Sequence, residues 1–341
     1  MASVLFKQST VNRQPSTIYM LNVSIRPYVD ESDLQAIAHL IHTCEQVDRL
    51  EEGTSISELQ QKFNQPSIDK NRDICIWEDS QGKLIGFAQL SISGSGEMID
   101  GWLWFCVHPI ARSGNIQTLA VAWGEKRMRE VQTERGVPVK LRSWVRAENT
   151  DRISLLANCG FKADRHFCRM ARSISQPIPE PKIPKGFTLS QFRGAQDAQA
   201  WVEMFNQSFI DHWNHHDLTV EQFQYDLAKP SYRKDLDLIA VALDGTFAAF
   251  CHCEISIEEC DRTGRNEGWI MSLGTRRGFR NIGLGRAMLL AGLHRLKAVG
   301  IETAIIGVDA DNQSGALGLY ESVGFHNIRN TIAYVKELRS I

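Results

Sequence analysis

Residues 273–288 read LGTRRGFRNIGLGRAM, and this stretch decides the fold that we expect for the chain. A strand is predicted to end near Thr275, and a helix to begin after a loop that contains Gly283 and Gly285. The first turn of a helix leaves several backbone N–H groups unpaired and carries a partial positive charge. Glycine lets such a backbone approach a ligand closely. The loop is therefore predicted to bind an anion such as a pyrophosphate.

Two other phosphate-binding loops are excluded by their spacing. A dinucleotide-binding loop needs G-x-G-x-x-G and an acidic residue about 20 residues later. The glycines here are Gly278, Gly283 and Gly285, which do not fit that pattern. A P-loop needs Gly-Lys followed by Ser or Thr, and the stretch has no such run. A plain tight turn without a ligand stays open as an alternative at this point.

A second motif follows at Asn312, where the segment 308–312 (VDADN) ends a predicted strand. The spacing N-x7-Y-x3-G-F places Tyr320 near the end of a short helix that Gly324 stops. Asn312 can cap that helix or present its amide to a ligand. Tyr320, taken alone, also suits an ordinary position in an amphipathic core.

In this order and at this spacing, the two motifs resemble the GNAT acetyltransferase superfamily. The resemblance covers residues 187–338 well and residues 23–172 in weaker form, and its tandem arrangement is similar to the mycothiol synthase branch. It implies acetyl-CoA as co-substrate, with the pyrophosphate on the loop amides and the pantetheine arm beside the preceding strand. The cofactor-binding residues implied are Leu273, Gly274, Thr275, Arg280, Asn281, Ile282, Gly283, Leu284, Gly285 and Asn312.

The same resemblance implies direct acetyl transfer to the primary amine of a small molecule. Tyr320 is then the general acid that protonates the departing thiolate, because a phenol pKa of about 10 keeps it protonated at neutral pH. Three residues are candidates for the base, together with a water relay: Glu267, Glu254 and His252. His212 and Trp213 follow the first helix of the second half, a region that borders the acceptor in this family, and we expect them to line the acceptor cleft.

The segment 176–186 (QPIPEPKIPKG) holds four of the ten prolines of the chain and is predicted to be an extended linker. It separates residues 23–175 from residues 187–341, after an N-terminal tail over residues 1–22. The halves match at an offset of about 164 residues, as the segments 25–28 and 189–192 illustrate, which indicates a duplicated domain. Each half is predicted to be a mixed α/β unit with a central, mostly antiparallel sheet flanked by helices.

The two halves are not equivalent. When Arg112 is aligned with Arg280, the first half carries Asn115 and Gln117 in place of the two loop glycines, and Leu156 in place of the tyrosine. We therefore expect the first half to be a degenerate copy that stabilises the second half and shapes its cleft. Catalysis is assigned to residues 187–341.

Composition excludes several classes of protein. The chain has 341 residues, 43% of them apolar, with 38 basic and 40 acidic residues and a net charge of −2. This balance argues against a disordered chain and against a strongly basic nucleic-acid binder. No apolar run is long enough to cross a membrane. The eight cysteines and the HWNHH segment at 212–216 lack the spacing of metal sites, which predicts reduced thiols, no metal and a cytoplasmic location.

The expected partner is a small-molecule amine, with no nucleic acid and no membrane, and the expected state is a monomer or a homodimer. Two alternatives stay open at this point. One is a module that binds acyl-CoA without catalysis and has a regulatory role, and the other is an N-acetyltransferase that acts on proteins or peptides. An intact Tyr320 and two loop glycines favour the enzyme over the regulatory module.

Overall fold

The computed structural model describes residues 23–51, 53–94, 97–229, 232–312 and 315–338, so the expected tail over residues 1–22 lies outside the described residues. The helices are α1 (Glu31–Asp48), α2 (Ile56–Phe63), α3 (Lys70–Asp73), α4 (Ile116–Arg135), α5 (Thr150–Asn158), α6 (Ala198–Phe209), α7 (Val220–Leu227), α8 (Ile257–Thr263), α9 (Leu284–Ala298) and α10 (Ala316–Ser322). The strands are β1 (Ser24–Pro27), β2 (Ile74–Glu78), β3 (Leu84–Ser93), β4 (Ile99–Val107), β5 (Val139–Arg146), β6 (Lys162–Ser173), β7 (Phe187–Gln191), β8 (Asp237–Ala242), β9 (Phe247–Glu254), β10 (Glu267–Thr275), β11 (Thr303–Asp309) and β12 (His326–Leu338).

The strands form one sheet in the order β1-β2-β3-β4-β5-β12-β6-β11-β10-β9-β8-β7. Two pairs of neighbours are parallel, β4 with β5 and β10 with β11, and the other pairs are antiparallel. Each parallel pair is joined by a long helix, α4 or α9, as a parallel connection requires. The predicted fold class, a mixed and mostly antiparallel sheet flanked by helices, is confirmed.

The two halves of the chain exchange their last strands. Strand β6 ends the first half and pairs with β11 of the second half, with Met170 opposite Ile306. Strand β12 ends the chain and pairs with β5 of the first half, with Val335 opposite Arg142. Residues 177–184, which lie between β6 and β7, have no regular secondary structure. The division of the chain at 176–186 stays a prediction, while the sheet itself is shared between the halves.

Helices cover both faces of the sheet. We call the face that carries α1 and α6 the front face, and the face that carries α4 and α9 the back face. Alternation along β9 shows the reason, because Phe250 packs on Trp201 of α6 while Cys251 meets α9 at Gly292. The same alternation places His252 and Glu254 on the front face.

At the middle of the front face, each half covers part of the other. The loop after α1 reaches the second half, where Glu51 pairs with Arg265 at 2.9 Å. Nearby, the hydroxyl of Tyr225 donates to the carbonyl of Gln61 in α2 at 2.9 Å. The central front surface of the second half is therefore bordered by chain from the first half.

One predicted element is wrong in its extent. After the hairpin turn signal at Asp244 and Gly245, the sequence predicts a single return strand over residues 246–257, but β9 ends at Glu254 and α8 begins at Ile257. Ser256 stops the strand because its side chain caps α8 by accepting a hydrogen bond from the backbone N–H of Glu259. In the part of the chain that the structure describes, none of the helices has the length and apolar character needed to cross a bilayer.

Candidate functional site

The loop between β10 and α9 has the backbone of an anion site. Asn281 and Gly283 adopt left-handed conformations, with φ of 64° and 87°. Gly283 is the N-cap of α9 and provides no side-chain hydrogen bond, so the first N–H groups of this 15-residue helix are not capped by that residue. A Cβ at Gly283 would meet no atom within 4 Å, so glycine is favoured here by conformation and not by crowding. Alternating backbone conformations of this kind form concave N–H nests that bind anions.

The side chain of Arg280 holds this loop in place. Its guanidinium donates to the carbonyls of Thr275 and Ser208 at 3.2 and 2.9 Å, and to a carboxylate oxygen of Asp211 at 2.8 Å. These contacts join the end of β10 to the end of α6. The guanidinium is thus occupied by the protein, whereas the predicted phosphate contact concerns the Arg280 amide.

The neighbouring arginines of the loop also have protein partners. Arg276 pairs with Glu203 at 2.6 Å, and Arg277 pairs with Asp211. Arg286 donates to the hydroxyl of Ser322 at 2.7 Å. A bound phosphate would have to compete with the two carboxylates for the first two arginines.

The first half repeats the arginine contacts but not the loop. Arg112 donates to the carbonyl of Val107 at 3.0 Å and to both oxygens of Asp48 at 2.6 and 2.7 Å. Asn115, at the position aligned with Gly283, has a φ of −87°. No residue between His108 and Asn115 has positive φ. This turn therefore has the same anchor as the second-half loop and a different backbone.

Beside the second-half loop, the sheet opens. Strands β10 and β11 are paired only as far as Ile270 and Ile306, although β10 continues to Thr275. The register against β9 shifts at Met271, whose side chain is 53% exposed. From there to Thr275, the edge of β10 that faces β11 has no strand partner among the described residues. Such an edge suits an extended ligand that carries amide groups.

Several predicted cofactor-binding residues also have packing roles. Leu273 packs against the core on the back face, and Leu284 is buried there. A side chain at Gly274 would collide with the ring of Phe250. Gly285 faces Thr275, because a Cβ there would lie 3.2 Å from the Thr275 hydroxyl. Ile282, by contrast, is exposed.

Tyr320 lies at the back of the opening. It is 7% exposed and belongs to the same apolar cluster as Leu273, Leu284 and Val308. Its hydroxyl has no hydrogen-bond partner among the described residues, and burial raises the pKa of the phenol above its usual value. The group is therefore protonated at neutral pH.

Asn312 does not cap the helix that carries Tyr320. The N-cap of α10 is Gly315, which has a φ of 76°, and Asn312 lies three residues earlier. The cap interpretation of Asn312 is therefore wrong, because the chain makes an additional turn between β11 and α10. Its predicted role as a ligand contact stays a prediction.

Of the three candidate bases, His252 is held as a cation. It lies between Asp237, at 3.4 Å, and Glu254, at 3.0 Å, and its ring stacks on Tyr232. Burial opposes the charge on the imidazole, but the two carboxylates outweigh it and raise the pKa of His252 to about 10. A protonated imidazole has no lone pair with which to accept a proton at neutral pH.

The two glutamates differ in their distance from the opening. Glu267 begins β10 and pairs with Arg265 at 3.1 Å. It lies about 13 Å along the strand from Met271, where the unpaired edge begins, whereas Trp269 lies about 7 Å from Met271, since a strand rises about 3.3 Å per residue. Glu254 lies opposite Trp269, beside the point where β10 and β11 separate. Its side chain is 34% exposed, against 15% for Glu267.

The structure places His212 and Trp213 against the first half. Both line a cleft of about 1250 Å³ between β4 and β5. The ring of Trp213 lies 6.3 Å from that of Trp102 and 5.6 Å from that of Phe167. None of the residues predicted to be catalytic is among the described residues that line this cleft.

The sequence reasoning missed a pair of residues on the front face at the opening. Arg169 of β6 lies 4.2 Å from the centre of the Trp269 ring on β10. No local motif marks Arg169, because it reaches the second half only through the exchange of strands. Among the described residues, no group of three or more histidine, cysteine or acidic side chains is placed to hold a metal ion.

Comparison with known proteins shows what the sequence of this chain is similar to. Residues 198–325 match the model of the acetyltransferase (GNAT) family. The chain is 29% identical over 245 residues to a mycothiol acetyltransferase of Thermobispora bispora, which covers 71% of this chain and 77% of the relative. It is 26% identical over 317 residues to a mycothiol acetyltransferase of Streptomyces bingchenggensis, which covers 92% and 94%.

Solved structures share the whole fold. A GCN5-related N-acetyltransferase from Sphaerobacter thermophilus superposes with a TM-score of 0.74 at 24% identity, and covers 93% of this chain and 96% of that chain. A tandem GNAT protein from the clavulanic acid biosynthesis pathway superposes with a TM-score of 0.69 at 13% identity, and covers 94% and 100%. Because both sequence identities are low, each of the two similarities concerns the fold alone.

Proposed function

We propose that the chain is an N-acetyltransferase whose second half, where residues 198–325 match the acetyltransferase (GNAT) family model, transfers the acetyl group of acetyl-CoA to the primary amine of a small molecule. The observation that carries the proposal is the left-handed loop at Asn281 and Gly283, which lies beside the unpaired edge of β10. The relatives named mycothiol acetyltransferases support a small-molecule acceptor.

The residues at the opening fit acetyl-CoA. The amides of residues 280–285 would hold the pyrophosphate, and the free edge of β10 from Met271 to Thr275 would hold the pantetheine arm. Gly278 and Gly283 leave open space where side chains would otherwise project. Acetyl-CoA supplies an activated acetyl group and a thiolate leaving group.

Tyr320 would hold the proton that the thiolate needs. The residue is buried and its hydroxyl has no hydrogen-bond partner among the described residues, so the hydroxyl is free to donate to a ligand atom at the opening. The raised pKa keeps the phenol protonated at neutral pH, so its hydroxyl is available as a proton donor to the departing sulfur. The apolar cluster around the ring would exclude water from this proton transfer.

Glu254 is the best placed of the candidate bases. It is on the front face, beside the separation of β10 and β11, and partly exposed. Burial opposes its charge, but the hydrogen bond with His252 lowers the pKa of Glu254 below its usual value. We infer that the proton of the amine leaves toward Glu254, directly or through water, and that His252 positions this carboxylate.

Titration of acetyl-CoA, followed by assay of thiol release with a panel of primary amines, tests the proposal. We expect one binding site, and we expect the double variant Gly283→Asn/Gly285→Gln to lose both binding and thiol release. The matched control Asn115→Ala/Gln117→Ala, at the aligned positions of the first half, should keep both. Absence of binding in the wild type, or binding that survives in the loop variant, would refute the assignment.

A further inference from the structure

We propose that the amine acceptor carries an anionic group, a carboxylate or a phosphate, that binds Arg169 on the front face beside the opening. The inference rests on the proposed function and names the chemical class of its acceptor. The residue that selects the acceptor would then come from the first half of the chain, by way of the exchanged strand β6.

Arg169 is positioned over the floor of the opening. It lies directly across from Gly307 of β11 in the antiparallel pair of β6 and β11. Its guanidinium lies 4.2 Å from the centre of the Trp269 ring, on the strand beyond β11. Since neighbouring strands are about 4.8 Å apart, the side chain extends across β11. Gly307 makes this possible, because it has no side chain on the front face.

The surface around Gly307 is open, although β11 is a central strand of the sheet. Gly307 is exposed, and a Cβ added there would meet no atom within 4 Å. The pairing of β10 with β11 has ended one residue earlier, at Ile306. A molecule that lies on Gly307 would therefore contact both the guanidinium and the gap that would admit the acetyl group.

Arg169 forms no ion pair with a carboxylate among the described residues. No hydrogen bond or ion pair joins its side chain to them, whereas Arg165 on the same strand pairs with Asp309 at 3.0 Å. Directly opposite Arg169 on β12, Arg329 pairs with Glu51. Arg169 is thus an arginine beside the opening whose charge is matched by no ion pair within the described part of the chain.

The surroundings of Arg169 favour an anion. Burial, reinforced by the charge of Arg329, lowers the pKa of the guanidinium to about 10, although the charges of Glu259 and Glu267 oppose this shift in part. Trp269 contacts the guanidinium as a cation–π partner and leaves its N–H donors available. That donor fork matches the oxygen pairs of carboxylate and phosphate groups.

The test compares acceptors in matched pairs. Glucosamine 6-phosphate and glucosamine form the phosphate pair, and ω-amino acids and their primary amides form the carboxylate pairs. We expect kcat/KM to favour the anionic member of at least one pair by roughly ten- to a hundred-fold, as for a hydrogen bond to a charged group. The pair that discriminates identifies which anion the acceptor carries.

Variants assign the preference to Arg169. Arg169→Gln should bring the ratio of the two kcat/KM values close to one, and Arg169→Lys should lower it less, because lysine keeps the charge but not the donor fork. Arg329→Gln is the matched control, since it removes the same charge directly across the strand pair. It should keep the ratio, and all three variants should bind acetyl-CoA as the wild type does.

The outcomes separate the two proposals. A wild type that binds acetyl-CoA and acetylates neutral amines as well as anionic ones overturns this inference and leaves the proposed function intact. A ratio that persists in Arg169→Gln also overturns it, since Arg169 would then serve only to pack on Trp269. Failure of the wild type to bind acetyl-CoA overturns the proposed function itself.

Discussion

Replacement of Gly283 by alanine would test the loop at the start of α9. Gly283 has a φ of 87°, and an L-residue with a Cβ pays about 1–2 kcal/mol to adopt a left-handed conformation. No atom lies within 4 Å of the added methyl group, so this conformational cost is the whole expected effect. If the loop keeps its shape, the free energy of unfolding falls by that amount.

The loop has a way to avoid this strain. Asn115 occupies the aligned position of the first half with a φ of −87°, so the same turn exists with ordinary backbone angles. A shift of Gly283→Ala toward that backbone would turn the amides away from a bound anion. Since 1–2 kcal/mol corresponds to a factor of about 5–30, we expect the dissociation constant of acetyl-CoA to rise by about that factor.

Calorimetric titration with acetyl-CoA and urea unfolding measure the two effects. The matched control is Gly136→Ala at the end of α4, where φ is 67° and no atom lies within 4 Å of an added Cβ. It should lose similar stability and keep its affinity for acetyl-CoA. If Gly283→Ala binds acetyl-CoA with unchanged affinity, the amides at the start of α9 are not the donor site and the reasoning fails.

Three further predictions concern single side chains. Tyr320→Phe should lower the rate of acetyl transfer by roughly 10²- to 10⁴-fold in steady-state assays. It should leave acetyl-CoA affinity and thermal stability unchanged, because the hydroxyl has no partner among the described residues. A variant with the wild-type rate would rule out Tyr320 as the general acid. Arg280→Ala should lower the free energy of unfolding in urea by about 1–3 kcal/mol and weaken the binding of acetyl-CoA. The equivalent Arg112→Ala should lower stability by a similar amount without affecting binding. Equal effects of the two variants on binding would contradict the assignment to one loop. His252 has a pKa of about 10 in the fold against an ordinary value of 6.5, so its ion pairs stabilise fully below pH 6.5 and are lost as the pH rises through 10. The free energy of unfolding should therefore decline over this range more steeply in the wild type than in His252→Gln, and equal slopes would show that the two carboxylates do not hold the proton.

The local motifs were predictable because their information is local. A strand end, a glycine loop and a helix start are consecutive in sequence, so residues 273–288 predict the strand, loop and helix that the structure contains there. The contrast with Asn115 was also visible in the sequence, since only one of the two aligned residues is a glycine. The end of β9 was not predictable in this way, because the helix cap at Ser256 interrupts an apolar pattern that continues past it.

Other features depend on contacts between residues far apart in the chain. The placement of Trp213 against Trp102 and the protonation of His252 between Asp237 and Glu254 follow from tertiary packing, which periodicity does not encode. The role proposed for Arg169 belongs to the same class, because its neighbours Gly307 and Trp269 lie a hundred or more positions away.

By itself, the sequence determined the class of fold, the glycine loop and the loss of that loop in the first half, because backbone conformation there depends on the residue at each position. Only the tertiary structure decided which strands the last strand of each half pairs with. Each last strand pairs with strands of the other half, as the registers of Arg169 with Gly307 and of Arg142 with Val335 show, and such pairs form between residues far apart in the sequence. The front surface of the second half therefore contains side chains that no reading of residues 187–341 alone would reveal.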